Sequence, residues 1–201
     1  MTANLKTVEF FFDFGSPTSY LAHTQLPTIA REAGARLIHR PMLLGGVFKA
    51  TGNASPVSVA AKARWMASDL ALWAKHYGVP FLFNPHFPIN TLSLMRAAAG
   101  VQMEEAEDFE QFVDVVFRAM WVDGRNLADP EVFAEVMGKA GFNVSALLDL
   151  SLSPEVKQRL LLHTEEAVAR GVFGAPTMFV GEQMFFGQDR LPFVRQALQA
   201  G

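Results

Sequence analysis

A hydroxyl placed where a buried strand hands over to a helix is the first chemistry this sequence offers. In Phe14-Gly15-Ser16-Pro17-Thr18-Ser19-Tyr20, Ser16 sits at that junction, where unpaired backbone N–H groups and the helix dipole favour an anion. The plainer role for Ser16 is a helix N-cap, since serine is a leading cap residue and Pro17 follows at the position proline favours. A serine-hydrolase role fits less well. The segment lacks the nucleophile-elbow pattern, and Pro17 removes the N–H that such a mechanism would use in its oxyanion hole. The second candidate is Val172-Phe173-Gly174-Ala175-Pro176-Thr177. A proline just ahead of a strand, preceded by glycine and a small residue, is where a cis peptide would expose a backbone edge beside a ligand. The plainer expectation is an ordinary trans proline, because only about 5–6% of X–Pro bonds in folded proteins are cis.

Other chemistry-bearing types are less informative. His23, His39, His76, His86 and His163 show no metal-ligand spacing, and Asn84-Pro85-His86 reads as a turn. Gly45-Gly46 followed by Gly52 fits neither a Walker nor a dinucleotide-binding pattern. Trp65, Trp73, Phe81, Phe83, Phe87 and Trp121 could line a pocket for a flat bicyclic ligand. Trp65, Met66, Leu70, Leu72 and Trp73 fall on a helical pattern, however, and such stripes usually enter the core.

The elements that must position these residues can be read from hydrophobic spacing. Val8 to Phe14 reads as a strand buried on both faces, ending at Gly15. Ser16-Pro17 opens a helix that runs to Gly34, and Arg36 to Arg40 is a second strand, which together make a βαβ unit. From about Ser55 to about Arg170 the pattern is helical: a segment opened by Ser55-Pro56 and ending near Gly78, an irregular stretch set by Pro80, Pro85 and Pro88, and a helix capped by Asn90-Thr91 and ending at Gly100. Further helices run from Glu105 to about Val122, from Asp129-Pro130 to Gly141, and from Ser153-Pro154 to Gly171. Thr177 to Val180 and Met184 to Phe186 then form a hairpin about Gly181-Glu182-Gln183, and Leu191 to Ala200 a closing helix. The predicted architecture is an α/β sheet interrupted by a helical insertion.

Composition narrows the function classes. The chain has 201 residues with 17 Lys+Arg against 20 Asp+Glu, a net charge of -3, and its charges are scattered, so nucleic acid and anionic membrane surfaces are poor partners. Half the residues are apolar and 18% charged, enough for a substantial core. Phe10-Phe11-Phe12 is interrupted by Asp13 and is neither a signal sequence nor a membrane span, so a cytoplasmic protein is expected. There is no cysteine. That excludes disulfides, cysteine zinc clusters, protein thiol nucleophiles and dithiol redox chemistry together.

Taken together, the segments resemble the thioredoxin-like superfamily and its DsbA-related branch. There β-α-β and β-β-α halves flank an inserted helical domain, and a Cys-x-x-Cys motif starting the first helix faces a cis-proline. Here that slot reads Ser16-Pro17-Thr18-Ser19, opposite Pro176. The chain is most similar to the 2-hydroxychromene-2-carboxylate isomerases and the related kappa-class glutathione transferases. The likeness is carried by Phe12-Asp13-Phe14-Gly15-Ser16-Pro17-Thr18-Ser19-Tyr20, Arg40-Pro41-Met42-Leu43-Leu44-Gly45-Gly46, Lys49-Ala50-Thr51-Gly52-Asn53, Gly174-Ala175-Pro176-Thr177-Met178-Phe179 and Phe186-Gly187-Gln188-Asp189-Arg190-Leu191. Gln188 stands where the family usually carries Asn.

The resemblance implies a thioredoxin-like domain from residues 1–50 and 170–201 with an inserted all-helical domain at 51–169. It implies glutathione as cofactor, held by Ser16, Asn53, Ala175, Pro176, Phe186, Gly187, Gln188 and Asp189, with Ser16 catalytic as a donor to the sulfur. Lys49, Asn53, Ala54 and Phe87 would face a small aromatic keto-acid substrate, and no metal is implied. The implied activity is isomerisation of 2-hydroxychromene-2-carboxylate to trans-o-hydroxybenzylidenepyruvate, or of a similar product of aromatic-hydrocarbon catabolism such as naphthalene degradation. A kappa-class-like transferase or peroxidase is the alternative, followed by a non-catalytic thioredoxin-like binding protein. A homodimer is also implied.

Overall fold

A computed structural model describes residues 6–104 and 107–200. Strand β1 (Thr7–Phe12) is the centre of the architecture because it buries phenylalanines on both faces. Val8, Phe10 and Phe12 enter the main core, whereas Phe11 joins Met42, Val47, Ala167, Val172 and Phe179 in a second core. Each fully buried phenylalanine contributes about 1.5–3 kcal/mol. β1 pairs in parallel with β2 (Arg36–Pro41), reached through α1 (Pro17–Glu32). On its other side it pairs antiparallel with β3 (Thr177–Val180), which in turn pairs with β4 (Gln183–Phe186). The sheet order is β2-β1-β3-β4. The register sets Phe11 opposite Thr177, so the end of β1 lies beside the chain entering β3. That register brings Ser16 to Ala175, 159 residues away.

The second core is roofed by charge. Arg170 donates to Glu9 at 2.9 Å while its guanidinium lies 3.9 Å from the Phe179 ring centre. Arg40 pairs with Glu9 and Glu166 on the same side. The stems of these side chains cover apolar surface while their heads stay partly hydrated.

Between β2 and β3 the described residues are helical: α2 (Leu44–Thr51), a 3-10 turn (Pro56–Ser58), α3 (Ala60–Tyr77), α4 (Leu92–Met103), α5 (Phe109–Trp121), α6 (Pro130–Lys139), α7 (Val144–Leu152) and α8 (Pro154–Ala169). A second 3-10 turn (Gln188–Arg190) and α9 (Leu191–Ala200) follow β4. No helix among the described residues is long and apolar enough to cross a membrane. Three of the four serine-proline or aspartate-proline starts hold: Ser16, Asp129 and Ser153 each accept a first-turn N–H of α1, α6 and α8.

Several expectations are corrected. α2 and α7 have no counterpart in the sequence reading. Ser55-Pro56 opens only the 3-10 turn, and α3 begins after Val59. Thr91 does not cap α4 through its side chain; that hydroxyl donates to Asp13 instead, and Asn90 accepts the N–H of Leu92. α4 runs past Gly100, because that glycine is a close-approach point: a Cβ there would lie 3.1 Å from Leu150 Cβ of α7. α5 starts at Phe109, and Glu105 lies outside the described residues. The Trp65 stripe is not core throughout, since Leu70 is buried while Trp65 and Leu72 are 64% and 67% exposed.

The main core encloses two histidines that the site does not use. His39 packs edge-on against Phe10, Phe12 and Phe109, with the His23 ring 6.0 Å away. Burial first, and the neighbouring His23 second, hold His39 down to about 4. A folded-state value below the unfolded 6.5 means that the unfolded chain binds the extra proton. Stability is therefore full above about pH 6.5 and is lost as pH falls toward 4, by at most about 1.4 kcal/mol per pH unit from this group. Thermal midpoints measured across this window should fall with acidity, and fall less steeply in His39→Leu. An identical slope in the variant would remove His39 from the account.

Candidate functional site

The site is built where β1 ends. Phe12 is the last strand residue, and Asp13 turns the chain by accepting the Gly15 N–H on Oδ1 at 2.8 Å. Its Oδ1 also accepts the Thr91 hydroxyl at 2.7 Å, and its Oδ2 the Leu44 N–H at 2.8 Å. One carboxylate thus fastens the start of α1 to the starts of α2 and α4. Burial pushes the Asp13 carboxyl above the usual carboxylate range, opposed by these three donors. Trp121 adds a further tie, donating from Nε1 to the Phe14 carbonyl at 2.8 Å.

Ser16 is the N-cap of α1, with extended backbone and 4% exposure. Its Oγ accepts the Ser19 N–H at 3.1 Å. The same oxygen lies 3.0 Å from the Ala175 carbonyl and 2.9 Å from Thr18 Oγ1, and Thr18 Oγ1 lies 3.1 Å from that carbonyl. Two hydroxyls therefore converge on one backbone acceptor at the positive end of a 16-residue helix. Ser19 Oγ, in the slot of the second cysteine of a Cys-x-x-Cys motif, is buried with no hydrogen-bond partner among the described residues.

The Ala175–Pro176 bond is cis, against the plainer expectation. The Phe87–Pro88 bond is cis as well, which the sequence did not suggest. The Pro176 carbonyl accepts the Gly187 N–H at 3.0 Å, which links the proline loop to the end of β4. A Cβ on Gly174 would lie 2.7 Å from the Phe186 ring, which would have to shift to admit it. That ring, 41% exposed, packs 4.5 Å from the Phe173 ring and forms an open aromatic surface beside the loop.

The remaining expected residues divide into two groups. Asn53 comes to the loop, donating from Nδ2 to the Phe173 carbonyl at 2.8 Å, while its Oδ1 accepts the N–H of Ala54. Gln188 is buried and its carbonyl accepts the Tyr77 hydroxyl at 2.8 Å. Asp189 stands next to it. Tyr77 is pushed up to about 12 by burial and then by the Asp189 charge, and Asp69 is raised by burial and then by the same charge. Lys49 is exposed on α2, four residues before Asn53. Phe87 is not brought to the hydroxyl pair but packs on Phe83 and Trp121, with Phe81 stacked on the same indole. Trp121 is fully buried, so of the aromatic group it is core and not pocket lining.

A depression of about 510 Å³ between β4 and α9, lined by Met184, Phe185 and Phe193, shares no residue with this cluster. The chemistry, not the concavity, identifies the site. Asp13, Thr18 and Thr91 were not singled out as functional from the sequence. A charge directly after three phenylalanines was the one available signal for Asp13.

A hydroxyl pair, a helix N-terminus and an accessible backbone edge together suit a small peptide thiol. Its sulfur would accept an O–H, its ionised form would gain from the helix dipole, and its amide would pair with Ala175. Comparisons with known proteins identify the family. The profile of the DsbA-like thioredoxin domain matches residues 7–199. The chain is 34% identical to a 2-hydroxychromene-2-carboxylate isomerase of Sphingobium xenophagum, over 96% of this chain and 98% of that one. It is 30% identical to human glutathione S-transferase kappa 1, over 96% and 91%. A solved 2-hydroxychromene-2-carboxylate isomerase superposes with a TM-score of 0.84 at 34% identity, covering 96% of this chain and 95% of its own.

Proposed function

The chain belongs to the DsbA-like thioredoxin family and, within it, to the 2-hydroxychromene-2-carboxylate isomerases and their kappa-class glutathione transferase kin, and from that premise we propose that it is a glutathione-dependent isomerase. Its substrate would be 2-hydroxychromene-2-carboxylate, giving trans-o-hydroxybenzylidenepyruvate, or a similar aromatic catabolite. The observation that carries this reading is the Ser16 hydroxyl at the N-terminus of α1, 3.0 Å from the carbonyl that precedes a cis-proline, in a chain without cysteine.

Bound glutathione would supply the sulfur nucleophile that the chain lacks: reversible addition to the conjugated enone of the ring-opened substrate makes the double bond single, so that it can rotate, and elimination restores the double bond and the thiol. Ser16 donates a hydrogen bond to the sulfur, and the helix N-terminus favours the ionised form; each unit of lowered thiol pKa is worth about 1.4 kcal/mol. Ala175 offers its backbone to the cysteinyl amide, and Gln188 and Asp189 take the γ-glutamyl end. Asn53 is held against the Phe173 carbonyl, which places its amide beside the same loop. Asn53 and Ala54 face the substrate from the helical segment 51–169, and Lys49, just ahead of it on α2, attracts the substrate carboxylate. Phe87 would face the substrate from the aromatic cluster that it forms with Phe83 and Trp121.

The similarity to kappa-class transferases supports a second reading, in which the same thiolate forms a lasting conjugate. The two are separated by accounting for glutathione during turnover. An isomerase converts many equivalents of substrate with the glutathione pool unchanged and has no turnover when glutathione is left out. Stoichiometric loss of glutathione supports the transferase, and turnover without glutathione contradicts both.

A further inference from the structure

We propose that Thr18 is a positioning residue for the reacting sulfur: its hydroxyl donates to Ser16 Oγ and strengthens the hydrogen bond that Ser16 gives to a bound thiolate. The proposal rests on the reading above, that a thiol ligand sits at Ser16.

Counting protons and lone pairs supports it. Ser16 and Thr18 carry one hydroxyl proton each, and three short contacts join their oxygens to each other and to the Ala175 carbonyl. A carbonyl oxygen has two lone pairs, so Ala175 can hold both hydroxyls while no ligand competes. An amide paired with Ala175 takes one of those lone pairs, and a thiolate draws the Ser16 proton away from the other. Ser16 Oγ then has one lone pair engaged by the Ser19 N–H and one to fill. Thr18 Oγ1, half-buried, lies 2.9 Å from that oxygen and 3.1 Å from the Ala175 carbonyl with its vacated lone pair, and we assign its proton to the nearer acceptor.

The result is a chain of donors running Thr18 O–H to Ser16 O–H to sulfur. Hydrogen bonds arranged in this way polarise one another, each strengthened by about 10–30%. Ser16 is accordingly a better donor with the Thr18 hydroxyl than without it. A threonine kept only for shape would do the same work as valine, because the two side chains are nearly the same size and both are branched at Cβ.

Thr18→Val and Thr18→Ser separate the two roles. The ultraviolet absorbance of the thiolate, followed against pH with glutathione bound, reads the ionisation of the sulfur without any turnover. In Thr18→Val the bound thiol should titrate higher, leaving about threefold to tenfold less thiolate at a pH below its pKa. Thr18→Ser should restore the wild-type curve. S-methylglutathione, which has no ionisable thiol, should bind wild type and Thr18→Val equally. An unchanged titration in Thr18→Val, a failure of serine to restore it, or an equal loss of S-methylglutathione affinity would each overturn the role of Thr18 while leaving the glutathione reading intact. If wild type binds no glutathione, that reading fails first and this one with it.

Discussion

Replacing Ser16 by alanine is expected to lower kcat/KM for glutathione-dependent isomerisation by about 10²–10³-fold, the loss typical when one preorganised donor to a charged centre is removed. The same change removes the side-chain cap of α1, since Ser16 Oγ accepts the Ser19 N–H. Capping and catalysis must therefore be told apart. Alanine at an N-cap costs about 0.5–2 kcal/mol of stability and glycine only a few tenths. Ser16→Gly should accordingly melt closer to wild type than Ser16→Ala while losing activity to the same extent. Nothing in the backbone opposes either change, because Ser16 is in an extended conformation open to any residue. Activity that tracks the melting temperature across the two variants would reduce Ser16 to a cap, and undiminished activity in either would remove it from the chemistry.

The largest effect on stability is expected at Asp13. Asp13→Ala strands three donors at once: the buried Thr91 hydroxyl and the half-buried Gly15 and Leu44 N–H groups. Each orphaned buried group costs about 1–3 kcal/mol, and neighbours that share one partner do not add fully, so the loss should be about 3–5 kcal/mol. That is a large fraction of what holds a domain of this size together. Asp13→Asn should cost less. Its amide oxygen can keep the Gly15 and Thr91 donors, but its NH₂ then faces the Leu44 N–H, donor against donor. Denaturant unfolding of the two variants tests this order. A loss below about 1 kcal/mol in Asp13→Ala would show that water or local relaxation replaces the carboxylate. The link to function is positional, since the same carboxylate sets Ser16 on α1 relative to α2, which carries Lys49 and leads to Asn53.

How much of this was legible in the sequence depended on whether the signal was local. β1 was readable because Phe10, Phe11 and Phe12 leave no polar face, and a strand apolar on both sides must be covered on both. α1, α6 and α8 were readable because a capping side chain followed by proline marks a start chemically. α2 carries no such mark: Leu43 makes no side-chain cap, and Gly45-Gly46 argues against a helix. α7 depends on Asn143 alone for its cap. The exposure of Trp65 and Leu72 was not readable, because periodicity defines the faces of a helix but not which of them meets a partner.

The site divides along the same line. Ser16 was visible as a hydroxyl at a strand-helix junction, and Ala175-Pro176 as a proline before a strand, but nothing local joins residues 159 apart. The resemblance to a known family joined them, and the register of β1 against β3 is the physical reason that they meet. Asp13 and Thr91 stayed hidden because their roles exist only once three separate segments converge.

The most direct measurement is a crystal structure of the protein with glutathione. The sulfur is expected within hydrogen-bond reach of Ser16 Oγ at the N-terminus of α1, with the cysteinyl amide paired to the backbone of Ala175. Glutathione bound elsewhere, or bound along the proline loop with its sulfur turned away from Ser16, would contradict the claim that this cysteine-free chain does its chemistry on a borrowed thiol.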